Sequence, residues 1–155
     1  MKKLILICLI ISFAFFGIAC HKSEKLKTEL SESKYGLFNE LEGVTLNVKD
    51  KSIQQSGLTV IIHNNTKDEF LYDPFYCVEK SKSGKWYQVP EITENASFGL
   101  IGYALKANSS AVVEIDWEWL YGDLEVGNYR IIKRLGYKSN YDKAYYLSTE
   151  FEIKN

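Results

Sequence analysis

Trp117-Glu118-Trp119-Leu120-Tyr121-Gly122-Asp123-Leu124-Glu125-Val126-Gly127-Asn128-Tyr129-Arg130-Ile131-Ile132-Lys133 is the stretch that decides how this chain is read. A leucine (Leu124), a glycine three positions on (Gly127) and a tyrosine two beyond it (Tyr129) open the apolar run Ile131-Ile132. In a two-sheet sandwich that spacing lets the phenol bond back to upstream backbone across a sheet corner. On either side, from Val44 onward, short runs rich in Val, Ile, Tyr, Trp and Thr are punctuated by Gly, Asn, Asp and Ser. This is an all-β signature.

Period-two alternation assigns faces within these runs. Val44, Leu46 and Val48 share one side of a strand over 44–49, and Gly57 to His63 is apolar enough for a central strand. Phe70 to Glu79 runs back, but Asp73-Pro74 interrupts it, so a bulge or a sheet edge is expected there. Ser81-Lys82-Ser83-Gly84 reads as a hairpin turn into Lys85 to Val89. Glu91 to Ala107 reads as a loop with a short strand. In Ser110 to Trp117 the better core face is Ala111, Val113, Ile115 and Trp117, and a last strand covers Ala144 to Ile153. With no sustained helical period, the expected fold is an all-β sandwich of seven to eight antiparallel strands.

Three stretches carry a resemblance. They are Gly84-Lys85-Trp86-Tyr87-Gln88-Val89-Pro90, Gly102-Tyr103-Ala104-Leu105, and Trp117 to Leu124 running into Gly127-Asn128-Tyr129-Arg130-Ile131-Ile132-Lys133. Over residues 42–155 the chain resembles the bacterial immunoglobulin-like domains of exported proteins and lipoproteins of Gram-positive bacteria. The resemblance implies an immunoglobulin-like β-sandwich with the tyrosine corner. It implies no activity and no catalytic residue, because the family has none established.

The N-terminus reads as an address. Met1-Lys2-Lys3 precedes an apolar and small-residue run from Leu4 to Ala19, and charge resumes at His21-Lys22, the layout of a signal peptide. The run is shorter than the ~20 residues that span a bilayer comfortably. Gly17-Ile18-Ala19-Cys20 resembles the lipobox of bacterial lipoproteins, which implies cleavage of residues 1–19 and lipidation at Cys20. Two acyl chains, as in that family, anchor stably where one does not. Residues 20–41 then read as the lipidated cysteine and a flexible charged tether, and 42–155 as the sandwich domain. The expected location is the cell membrane, lipid-anchored and facing the extracytoplasmic side.

Composition narrows the function. The 155 residues carry 19 basic and 20 acidic side chains, and loss of residues 1–19 would leave a formal charge of −3. No basic face is available for nucleic acid. With Cys8 in the signal and Cys20 lipidated, Cys77 alone would remain, so no internal disulfide can form. It reads as a small buried hydrophobe, with no Lys, His or second cysteine adjacent to activate it. His63 flanks a turn, and no GxSxG, GxGxxG, GxxxxGK[ST], HExxH or paired CxxC motif occurs. No catalytic residue, cofactor or metal is assigned. Asp116, Glu118 and Asp123 offer oxygen ligands but lack a recognised calcium-loop spacing.

What remains is binding. On an extended segment Trp117 and Trp119 share a face, either as core between the sheets or as a stacking platform for a sugar. Tyr72, Tyr76, Tyr141 and Tyr145 fill the core or, if exposed, form the rigid amphipathic patch that protein interfaces favour. The expected function is a non-catalytic, membrane-anchored module with a protein or envelope-component partner. The alternatives are a carbohydrate or peptidoglycan module centred on Trp117 and Trp119, a protease inhibitor using the loop Glu91 to Gly102, and, least expected, a carboxylate-based hydrolase.

Overall fold

The structure is a computed structural model and describes residues 30–99 and 101–155, without the side chains of residues 141 and 142. The expected signal peptide and Cys20 lie outside the described residues. The elements in chain order are β1 (Val44–Val48), β2 (Gly57–Asn64), β3 (Phe70–Lys82), β4 (Lys85–Gln88), β5 (Tyr103–Leu105), β6 (Ser109–Asp116), α1 (Glu118–Tyr121), β7 (Gly127–Tyr137) and β8 (Asn140–Ile153). They form two antiparallel sheets, β1-β2-β6 and β4-β3-β7-β8, with β5 paired to the first residues of β3.

The alternation of the sequence becomes the alternation of burial. In β2 Leu58, Val60 and Ile62 point into the sandwich, and in β6 Ile115 does so while Val112, Glu114 and Asp116 face outward, as their period predicts. From the other sheet Val78, Tyr129, Ile131, Leu135, Leu147 and Phe151 complete the core. Trp117 lies between the sheets, stacked on Phe151 at 5.6 Å. The Tyr129 hydroxyl donates to the Glu125 carbonyl at 2.8 Å, so the tyrosine corner is present.

Two local features depart from a regular ladder. After β6 the chain does not stay extended: the Asp116 carboxylate accepts the Glu118 N–H at 2.9 Å, and the Trp117 carbonyl accepts from Leu120 and Tyr121, closing one helical turn. In β3 the pairing with β7 jumps from Tyr72↔Leu135 to Tyr76↔Lys133, so Asp73, Pro74 and Phe75 together oppose Arg134. This is the bulge that Pro74 calls for, and it lies between the part of β3 paired to β5 (Phe70 to Tyr72) and the part paired to β4 (Glu79 to Lys82), so among the described residues its side away from β7 has no strand partner.

The expected tether needs correction over its last part. Residues 31–41 are docked as a strap across the outer face of the five-stranded sheet. At one end Ser33 donates to the Trp86 carbonyl and Gln88 to that of Ser31, and at the other Asn39 donates to the Tyr146 carbonyl. The physical reason is beneath it. β7 and β3 turn Ile132, fully buried, and Cys77 outward, and the rings of Tyr35 and Phe38 supply the cover those side chains need.

Candidate functional site

The strap organises the site. Its Tyr35 ring stacks obliquely on Tyr146 at 5.0 Å, and burial beside the Cys77 thiol pushes the Tyr35 phenol well above its ordinary value. Burial likewise raises Cys77, to about 11, so the thiol is held protonated and unreactive. Next to them Glu79, fully buried, pairs with Arg130 at 2.5 Å. The Arg130 guanidinium is clasped between Phe38 and Trp86, 4.5 and 4.6 Å from the ring centres, and also donates to Ser33 Oγ. This pair fastens strap to sheet. Replacing one member alone would leave the other a buried, unmatched charge.

Beside the strap opens a cleft of about 860 Å³. Its floor is Arg134 and Tyr146. Its walls are the strap from Lys34 to Leu37, the β3 bulge with Asp73 and Phe75, and Phe98 from the loop after β4, while Tyr145 lines its edge near the β8 margin. The volume and the ring-rich lining around a few polar groups are those of small-molecule and side-chain sites. Charge in the lining balances: Lys34 and Arg134 against Glu40 and Asp73, with Arg134 and Asp73 paired at 2.9 Å.

The bulge wall is held from inside the core. Lys133 is 1% exposed, and its ammonium donates to the carbonyls of Asp73 at 2.7 Å and Phe75 at 2.5 Å. Those carbonyls have left the ladder, and the lysine restores their hydrogen bonds. Burial lowers Lys133 to about 8, with the Asp73 carboxylate opposing that shift. The long reach of this side chain therefore sets where Phe75 stands in the cleft.

The residues expected to form a binding surface do not gather in one place. Trp117 is fully buried and its indole N–H donates to the Gln55 carbonyl at 2.7 Å, so it belongs to the core and not to any surface. Trp119 is 44% exposed, with its indole bonded to the Asp116 carbonyl. The helical turn between them rotates the two rings apart, so a shared tryptophan platform does not exist. Tyr76 is a second correction: it is 6% exposed and its hydroxyl donates to the Asp116 carbonyl, and burial raises the phenol to about 12.

Tyr72, half-buried and stacked on Tyr103 at 5.4 Å, joins Tyr76 and Trp119 around a smaller groove of about 420 Å³. Phe98 lines both hollows. Tyr145 borders the larger cleft, but its ring packs against the core and edge-on to Tyr137 at 5.8 Å, and the side chain of Tyr141 lies outside the described residues. The start of the loop at Glu91 folds back onto α1, with Ile92 donating to the Leu120 carbonyl and the Thr93 hydroxyl to that of Trp119. His63 lies on β2 with its Nδ1 2.8 Å from Ser110 Oγ. Among the described residues no three His, Cys, Asp or Glu side chains are grouped to hold a metal ion.

Tyr35 and Arg134 were not expected here. Tyr35 and Phe38 did carry a signal, two aromatics closing an otherwise charged segment, but nothing in the sequence says which surface they cover.

A family model described as "Bacterial Ig-like domain" matches residues 40–152. No curated protein matches the chain.

Proposed function

Because this chain belongs to the bacterial Ig-like domain family, we propose that it is an exported, lipid-anchored and non-catalytic binding module. Lipid at Cys20 holds it on the extracytoplasmic side of the cell membrane, and its partner is a protein or another envelope component engaged through the aromatic cleft. The observation that carries the binding role is the cleft itself. Rings converge around a concave site of about 860 Å³ whose walls are fixed, on one side by the Glu79–Arg130 fastening of the strap and on the other by Lys133 under the bulge. A preorganised site loses little freedom on binding. The anchor reading is supported by the residues Gly17 to Cys20 and by the apolar run before them.

Two measurements test this. Cells producing the full chain are fed an alkyne fatty acid; the chain is expected to take up label and partition with membranes, and Cys20→Ala to lose both. Equal labelling of the variant would refute the anchor. For the cleft, a photo-crosslinking amino acid replaces Leu37, an exposed lining residue, or Lys67, exposed and outside the cleft. Adducts are expected from position 37 and not from 67; the reverse pattern, or none, would refute binding at the cleft.

A further inference from the structure

We propose that the smaller groove is a second binding site and that it takes an organic cation, a guanidinium or ammonium group on a short apolar stem. It does not depend on the reading of the larger cleft, with which it shares Phe98. Its lining joins Val112, Glu114 and Asp116 of β6 to Tyr72 and Pro74 of β3, Tyr103 of β5 and Trp119 of α1. Three of the exposed large apolar side chains, Tyr103, Val112 and Trp119, meet there. At about 420 Å³ the groove is within the range of small-ligand sites.

The lining selects by charge. In the larger cleft Lys34 and Arg134 offset Glu40 and Asp73, whereas the groove has Glu114 and Asp116 and, among the described residues that line it, no lysine or arginine. Glu114 is exposed and enters none of the ion pairs of the described residues. The groove is also poor in free donors. The Tyr76 hydroxyl and the Trp119 indole N–H both go to the Asp116 carbonyl, at 2.8 and 3.1 Å. Neither has a proton left for a ligand, which leaves the Tyr72 and Tyr103 hydroxyls against two carboxylates. Such a lining rejects anions and favours a group that donates and carries positive charge. The rings add to the preference. Tyr72 stacks on Tyr103 at 5.4 Å, and Phe98 stands edge-on to Tyr76 at 5.0 Å and to Trp119 at 5.8 Å. An aromatic face attracts a cation within ~6 Å, tryptophan most strongly, and the same carbon surface takes an apolar stem. These ring contacts hold the groove in shape before a ligand arrives, so little freedom is lost on binding.

The test uses the full chain in micelles of an uncharged detergent, read by ligand-observed saturation-transfer NMR. Butylguanidinium and butylammonium are the probes, with butylurea and butanol as their uncharged counterparts. Each cation is expected to bind about tenfold or more tightly than its counterpart. Glu114→Gln, an exposed change that keeps the shape of the side chain, should weaken the cations about threefold or more and leave butylurea as it was. Glu150→Gln, exposed on β8 outside the groove, should leave all four ligands unchanged. Tyr103→Leu keeps an apolar side chain without an aromatic face and should narrow the gap between charged and uncharged ligands. If a variant fails to fold, the comparison of the two ligand pairs on the parent chain still decides the question. Absence of cation binding, equal binding of charged and uncharged ligands, or a loss in Glu150→Gln as large as in Glu114→Gln would overturn the proposal. A capped tripeptide with arginine at its centre then distinguishes the source. Tighter binding than butylguanidinium sustains the site as one for a side chain of a protein partner, and weaker binding sustains it as one for a free amine or guanidine.

Discussion

Lys133 makes the stability of this domain rise with pH in a window where most domains change little. The perturbation is Lys133→Met, which keeps an unbranched side chain one atom shorter and removes the titrating group. In the fold, burial holds Lys133 at about 8 against an ordinary 10.5. The unfolded chain therefore binds the extra proton between those values, and stability increases with pH across them. Below about pH 8 the ammonium is charged in both states and the fold bears the full burial cost, about 3 kcal/mol for that difference. Between about pH 7 and 9.5 the linkage returns about 2 kcal/mol. Cys77 acts in the opposite sense, because its thiol is raised to about 11 from 9 and ionises first in the unfolded chain. It takes back about 1 kcal/mol by pH 9.5. The raised phenols of Tyr35, Tyr76 and Tyr121 also destabilise as pH rises, but their unfolded forms ionise near 10, at the upper limit of the window. The net expectation is a gain of about 1 kcal/mol for the parent and about 2 kcal/mol for Cys77→Ala, measured as urea unfolding free energies. Lys133→Met should abolish the gain and leave a decline. An unchanged positive slope in Lys133→Met would refute the assignment of the proton to this side chain.

Three further expectations concern the corner, the strap and the indoles. Tyr129→Phe removes the bond to the Glu125 carbonyl and should cost about 1 kcal/mol in urea unfolding, with m unchanged; no loss would mean that the corner is held by packing alone. Phe38→Ala opens one side of the clasp on Arg130, and hydrogen exchange should accelerate at the Ser33 and Asn39 amides while Ile131 stays protected; equal protection in parent and variant would show that the strap does not depend on this ring. In acrylamide quenching, Trp119→Phe should remove the most accessible emission and Trp117→Phe a shielded one, matching 44% against no exposure; a freely quenched Trp117 would contradict its place between the sheets.

Much of the fold is legible in the chain because β-strands write burial at period two. Val44, Leu46, the alternation from Ala111 to Trp117, and the Leu124–Gly127–Tyr129 spacing each name a face or a corner without reference to distant partners. Pro74 likewise announces a break in β3. The faces of Ile131 and Ile132 are not legible, since both are fully buried and a continuous apolar run has no visible phase. That ambiguity hides the apolar outer face, and with it the reason for the strap. The tryptophans fail for a local reason: one helical turn after Asp116 breaks the period on which a shared face depends.

The sequence by itself determined an all-β sandwich with a tyrosine corner, a break in the strand at Pro74 and a core face for each alternating strand, because those properties follow from neighbours a few residues apart. The tertiary structure alone decided that residues 31–41 cover the sheet, that Lys133 reaches the carbonyls of Asp73 and Phe75, and that Tyr35, Phe75, Phe98, Arg134 and Tyr146 meet around one cleft. These residues come from segments as much as about 110 positions apart. Their meeting depends on strand order and register, which arise only when both faces of the sheet must find cover at once.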